Sequence, residues 1–290
     1  MSKIKLSIVS LLLLFSIQQA NAGGGWPQPK GQGYFKLFHW WVVGTHHYTD
    51  SGLRDPNVTN GIFNTGLYGE YGFTDRLTGI AYFPFFSRAL FNNVRSVTTD
   101  EIILPGEAIN SIGDTDIGLK YGLIVNKPIV LSATVKFGLP LGVDDGGEGG
   151  RLQTGDGEFN QILRLDASGS FKIGSINAYG SVYAGVNNRT NGFSDEFRFG
   201  VEAGAGFFDS RLYAILRLVG IQSFNNGDRE EIANSTSIFA DGAEFLSFAP
   251  EIAYSFNDNW GVSASTGIAL SGKLIFANPS YSVGVFYNLR

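Results

Sequence analysis

The stretch SIGDTDIGLKYGL runs from Ser111 to Leu123. From Asp114 onward, every second residue is charged or glycine: Asp114, Asp116, Gly118, Lys120, Gly122. Between them stand Thr115, Ile117, Leu119, Tyr121 and Leu123. A repeat of two is the signature of an extended strand, whose successive side chains point to opposite faces. One face carries both signs of charge and the other is almost wholly apolar. The fold is decided by which face is buried, and in what.

The same alternation recurs along the chain. Ile129 to Leu139 sets Leu131, Ala133, Val135 and Phe137 against Ser132, Thr134, Lys136 and Gly138. Asp195 to Phe207 sets Phe197, Phe199 and Val201 against Glu196, Arg198, Gly200 and Glu202. Such segments number about twelve, each roughly 10 to 14 residues long, enough to cross a bilayer with tilt. Short turns such as Thr74-Asp75-Arg76 and Asn257-Asp258-Asn259 alternate with long polar connections such as Leu141 to Gly157. An even strand count puts both termini on the short-turn, periplasmic side. Aromatics gather there: Phe73, Phe171, Phe207, Phe256, Trp260 and Tyr287. That is the place of an interfacial girdle.

A soluble sandwich with its apolar face inside would also alternate. The apolar faces here are long and nearly free of charge, while the opposite faces are rich in glycine. Lipid imposes the first property, since Lys or Arg at the bilayer midplane costs about 2–4 kcal/mol. A small barrel interior, where side chains converge, imposes the second. The fold class is therefore all-β: a transmembrane up-and-down antiparallel barrel of about twelve strands with short periplasmic turns and longer extracellular loops. Pro84 and Pro250 interrupt two strands, and each predicts a bulge or a strand end.

Composition agrees. The 290 residues include 39 glycines and no cysteine, aromatics are 14% and charged residues 16%. A disulfide scaffold is excluded. A net charge of −5 with pI near 5.2 argues against nucleic-acid binding. Residues 1–22 have the charged start, apolar run and Ala20-Asn21-Ala22 site of a secretory signal peptide cleaved after Ala22. An N-terminal membrane anchor is the alternative, and its apolar run is short for a spanning helix. Residues 23–32 read as a short periplasmic segment and 33–290 as the barrel. Trp26 could enter the lumen or lie at the periplasmic interface. The interface is expected, because Trp readily sits there.

Parity assigns the inward face to Lys36, Glu70, Asp114, Asp116, Lys120, Lys136, Glu158, Arg164, Asp166, Arg198, Glu202, Arg217 and Glu251. Mixed signs argue against a strongly ion-selective pore, which uses rings of one sign. Either the charges pair and close a structural barrel, or they line a narrow wet passage for a polar or amphiphilic solute. Asp116 would find a partner in Lys136 on the next strand.

The motifs Gly113-Asp114, Gly118, Lys120-Tyr121, Phe137-Gly138-Leu139-Pro140 and Thr154-Gly155-Asp156-Gly157 carry a family likeness. Through them the chain resembles the outer-membrane barrels named for the meta-pathway of phenol degradation, distantly grouped with transporters of fatty acids and other hydrophobic compounds. The likeness is strongest in the middle third. Where the family often has a glycine two residues before Gly113, this chain has Ser111. The resemblance implies an outer-membrane channel of a Gram-negative bacterium and a small hydrophobic or aromatic solute. Expected partners are outer-membrane lipid, lipopolysaccharide and the barrel-assembly machinery. The C-terminus carries part of a barrel-assembly signal in Ser282, Gly284 and Tyr287, with Leu289 in place of the last aromatic and Arg290 after it.

No enzymatic constellation is fixed by spacing, and no cofactor is expected. His46 and His47 near Asp50 permit a hydrolase at the extracellular rim, but adjacent residues of an extended chain point opposite ways. A solvated loop is the plainer reading. Asp144, Asp145 and Glu148 form an acidic loop without EF-hand spacing, so no metal site is assigned to it.

Overall fold

The computed structural model describes residues 24–148, 150–229 and 238–290. The signal peptide and its cleavage site lie outside the described residues. Twelve antiparallel strands form the barrel wall. They are β1 (Gly33–Tyr48), β2 (Arg54–Gly72), β3 (Leu77–Phe91), β4 (Thr115–Ile124), β5 (Ile129–Leu139) and β6 (Asn160–Ile173). The circuit continues through β7 (Ile176–Asn188), β8 (Glu196–Phe207), β9 (Leu212–Ser223), β10 (Glu244–Ser255), β11 (Trp260–Lys273) and β12 (Ser280–Leu289). Each strand pairs with its neighbours in sequence. β1 closes the circle, pairing with β2 from Gly33↔Tyr71 and with β12 from Gly33↔Leu289 to Val42↔Ser280. Closure leaves no strand edge facing lipid, which a bilayer requires of any sheet that crosses it.

The parity reading places the apolar faces outside. Along β4, Ile117, Leu119, Tyr121 and Leu123 are each about half exposed, as a lipid-facing surface must be. Val201, Leu216, Ile252 and Val283 continue the belt around the barrel. Thr115 departs from it. It is buried, and its hydroxyl turns back toward the Gly113 carbonyl. At the short-turn end, the girdle rings touch one another: Trp260 and Tyr287 at 4.8 Å, Tyr71 and Phe73 at 5.5 Å, Tyr254 and Phe256 at 5.6 Å.

One local reading holds and two change. Between Leu67↔Phe83 and Thr65↔Phe86, the two residues Pro84 and Phe85 face the single residue Gly66, so Pro84 does sit at a bulge. The bulge resets the alternation, and Phe85 and Phe86 both face outward. Pro250 makes neither a bulge nor an end. The ladder to β11 skips Ala249 and Pro250 without changing register, from Phe248↔Ile268 to Glu251↔Ser265. The first loop, expected from His46 to Asn60, shrinks to residues 49–53, because β1 and β2 run on as a ribbon beyond the wall.

Candidate functional site

A cavity of about 1030 Å³ lies inside the barrel. It runs from the short turns, at Asp209 and Asn257, up the inner faces of β1, β2, β3, β9, β10 and β12 as far as Trp40 and Ile238. Its lining interleaves two chemistries. Phe38 stacks on Tyr82 at 5.3 Å, Tyr34 on Phe286 at 5.8 Å, and Tyr34 meets Tyr68 edge-on at 6.3 Å. Lys36 stands between Tyr34 and Phe38 on the inner face of β1, with Phe286 as its register partner on β12. It donates to Glu251 at 3.3 Å, and Arg217 bridges Glu251, at 2.5 Å, and Glu202. Glu202 also accepts from the Tyr179 hydroxyl at 2.8 Å. Of these charged groups, Lys36, Arg217 and Glu251 line the cavity.

The opposite half of the lumen is filled. Lys120 and Glu70 pair at 3.4 Å, both almost without exposure, and Glu70 also accepts from Tyr68 and from the Gln28 amide. Lys136 donates to Asp116 at 2.6 Å, the partner that strand parity predicts. Arg164 pairs with Asp166 at 2.9 Å and lies over the Tyr183 ring at 4.7 Å. Arg198 donates to Glu196 at 2.6 Å.

Thus Lys36, Glu70, Asp116, Lys120, Lys136, Arg164, Asp166, Arg198, Glu202, Arg217 and Glu251 lie on barrel strands, each in an ion pair. Asp114 and Glu158 do not lie on strands. β4 begins only at Thr115 and β6 only at Asn160, so both residues belong to the extracellular layer above the wall.

That layer folds inward. Asp114 accepts the backbone N–H groups of Gly142 at 2.9 Å and Asp156 at 2.7 Å. The Thr154 hydroxyl donates to the Ile112 carbonyl at 3.0 Å. The two motif segments around Gly113-Asp114 and Thr154–Gly157 are therefore one structural unit. Gly155 lies so close that a Cβ there would stand 2.0 Å from an Asp114 oxygen. Burial, with the Asp156 carboxylate beside it, pushes the Asp114 carboxyl up to about 7. Glu158 is likewise held above the ordinary carboxylate range by burial, against the pull of Arg189.

Arg189 is the knot of this layer, and strand parity gave no sign of it, because it sits in a loop. Its guanidinium reaches Glu158, Glu196 at 3.0 Å, Asp156 at 3.4 Å and Asp241 at 3.9 Å. The Phe193 ring lies 4.3 Å from both Arg189 and Arg229.

The N-terminal segment corrects the interface reading of Trp26. Residues 24–29 enter the lumen. The Gly25 amide donates to Ser168 at 2.7 Å, and the Gln28 amide to Thr78 at 2.8 Å. Trp26 packs edge-on against Tyr179 at 5.8 Å. The lumen supplies inward-facing aromatic and hydrogen-bonding partners there, which a lipid headgroup layer does not fix in place.

Among the described residues, the histidine side chains make no hydrogen bond to a Ser or Asp side chain. His39 faces outward, 2.9 Å from Thr65 and stacked between Trp41 and Phe63. His46 hydrogen-bonds its neighbour Thr45 at 3.0 Å, while Asp50 accepts from the Ser51 amide. Among the described residues, no cluster of three or more metal-ligating side chains occurs.

No protein-family model and no curated protein matches the chain. Solved structures do. The COG4313 outer membrane channel from Pseudomonas putida F1 matches over 93% of this chain and 99% of its own, at 14% identity and a TM-score of 0.55. The KdgM porin in complex with disordered oligogalacturonate and the NanC porin each match over 88% of this chain and 99% of their own. Both have TM-scores of 0.48, at 8% and 6% identity. At such identities the likeness to the outer membrane channel is one of fold.

Proposed function

We propose that the protein is an outer-membrane channel for a small amphiphilic or aromatic solute, as the likeness to the phenol meta-pathway barrels implies. One observation carries the reading: the cavity of about 1030 Å³, whose lining interleaves aromatic rings with ion-paired side chains. Rings in offset or edge contact offer a flat solute further stacking surface. Among the rings, Lys36, Glu251 and Arg217, the last also paired with Glu202, offer donors and acceptors. A solute with one flat apolar face and one polar edge matches such a lining. The remaining paired residues, Glu70, Lys120, Asp116, Lys136, Arg164, Asp166 and Arg198, fix the shape of the passage. Lipopolysaccharide and lipid surround the barrel, and export uses a signal peptide removed after Ala22.

The test is conductance in planar bilayers, together with thermal stabilisation by a panel of small aromatic and amphiphilic compounds. Silence in both across a broad panel overturns the transport reading. A second reading, a closed structural barrel, draws on Trp26 and the filled half of the lumen. It predicts that replacing Trp26 by Ala leaves conductance at the level of the bare membrane.

A further inference from the structure

Above the cavity, the lumen changes character. Val42 on β1 and Ile62 on β2 are register partners on the inner face, and both are buried. Phe276 packs against them from the short strand Ile275–Phe276, which pairs with β1. Trp40 and Phe239 complete the cluster. Phe276 has a made seat: a Cβ on Gly44 would stand 2.4 Å from its ring. Trp40 belongs to the cluster and also lines the top of the cavity, so the cluster adjoins it from above.

The cluster differs from the rest of the extracellular closure. Over β6 to β8 the lumen is shut by Arg189 and four carboxylates, directional contacts that hold one geometry. Above the cavity, among the described residues, Val42, Ile62 and Phe276 pack as a buried apolar cluster, with the polar Asn64, Ser280 and Ser282 as register neighbours. Apolar contact is non-directional and indifferent to which apolar surface provides it. A constriction lined mainly by apolar groups resists water and ions by dewetting. An apolar solute face can replace the contacts that Val42, Ile62 and Phe276 make with one another. A hydrated ion cannot.

We infer that Val42, Ile62, Phe276, Phe239 and Trp40 form an apolar gate. The gate sets the specificity of the channel, rejecting ions and strongly hydrated solutes and passing uncharged compounds with an apolar face. This inference rests on the channel reading above and adds the residues that choose what enters.

The experiment compares single-channel conductance in potassium chloride for four proteins: the natural chain, Trp26→Ala, Val42→Thr with Ile62→Thr, and all three changes together. A shift in migration between unheated and heated samples on denaturing gels checks that each barrel is folded. Threonine nearly keeps the shape of valine and adds a hydroxyl, so the gate becomes wettable without being removed. The gate pair should raise ion conductance severalfold over its parent, in the natural or the Trp26→Ala background. Gly44→Ala, which unseats Phe276, should raise it too. Val43→Thr, one residue away but facing lipid, should not. If Trp26→Ala conducts and the gate pair adds nothing to it, the channel stands and the gate is refuted. If none of the four conducts although the compound panel stabilises the natural chain, the gate alone is refuted; if none conducts and the panel gives no stabilisation either, the channel reading itself falls, and the gate with it.

Discussion

Replacing Lys120 by Met tests the ion-paired lumen most directly. Lys120 and Glu70 are 1% and 3% exposed at their side chains and stand 3.4 Å apart. At an effective dielectric of about 20, unit charges at that distance attract by about 5 kcal/mol. Removing one partner of a buried pair typically costs about 3–5 kcal/mol, because the survivor keeps its charge without compensation. Glu70 retains two donors, the Tyr68 hydroxyl and the Gln28 amide, which places the expected loss at the lower end, about 3 kcal/mol. Methionine fills most of the space of the lysine stem, so packing loss adds little. The assay is urea unfolding of the barrel in lipid vesicles, followed by tryptophan fluorescence. The double variant Lys120→Met with Glu70→Gln should recover most of the loss, since it removes the orphaned charge. A loss under about 1 kcal/mol, or a double variant no more stable than Lys120→Met alone, refutes the reasoning.

Gly155→Ala should detach the Thr154–Gly157 loop from Asp114, because the added methyl has no room beside the carboxylate. Faster protease cleavage in residues 141–157, with an unchanged barrel, is the expected readout. Docking of that loop should depend on pH. The Asp114 carboxyl, raised by burial and by Asp156, gives a contribution fully present below its ordinary range and lost as pH rises through about 7. Protection factors of the Gly142 and Asp156 amides, taken relative to their intrinsic base-catalysed exchange at each pH, should therefore be higher at pH 5.5 than at pH 8, and Asp114→Asn should flatten the difference; equal protection at both pH values contradicts it. Glu158, also held up by burial, acts in the same direction. Arg189→Met leaves four carboxylates facing one another, so it should cost more loop order than any single carboxylate change, read by the same protease assay.

Much of the wall is legible in one line of sequence because lipid and lumen impose opposite demands on alternate residues. Asp116 and Lys136 show this. Parity puts both inside, adjacency puts them on neighbouring strands, and they meet at 2.6 Å. The same logic misplaces Asp114 and Glu158, since alternation continues in the sequence past the point where the strand ends. It is silent on Arg189, whose partners come from three separate connections and β8. The aromatic lining left one trace. In GYFKLFHWWVV both faces of β1 are apolar, and a strand with rings on its inward side serves the lumen as well as the lipid. Trp26 was misread because a tryptophan near a membrane edge has two suitable environments, and sequence does not say which is nearer.

The N-terminal segment also bears on the order in which the molecule is assembled. Gly25 is fixed by Ser168 on β6, and Gln28 by Thr78 on β3, partners 143 and 50 residues along the chain. Trp26 waits for Tyr179 on β7. None of these sites exists while the strands are still being added. The first residues of the described chain are thus the last to find their place, and their docking is a signature of a finished barrel. A fluorophore replacing a residue beside Trp26 would time that final event separately from membrane insertion.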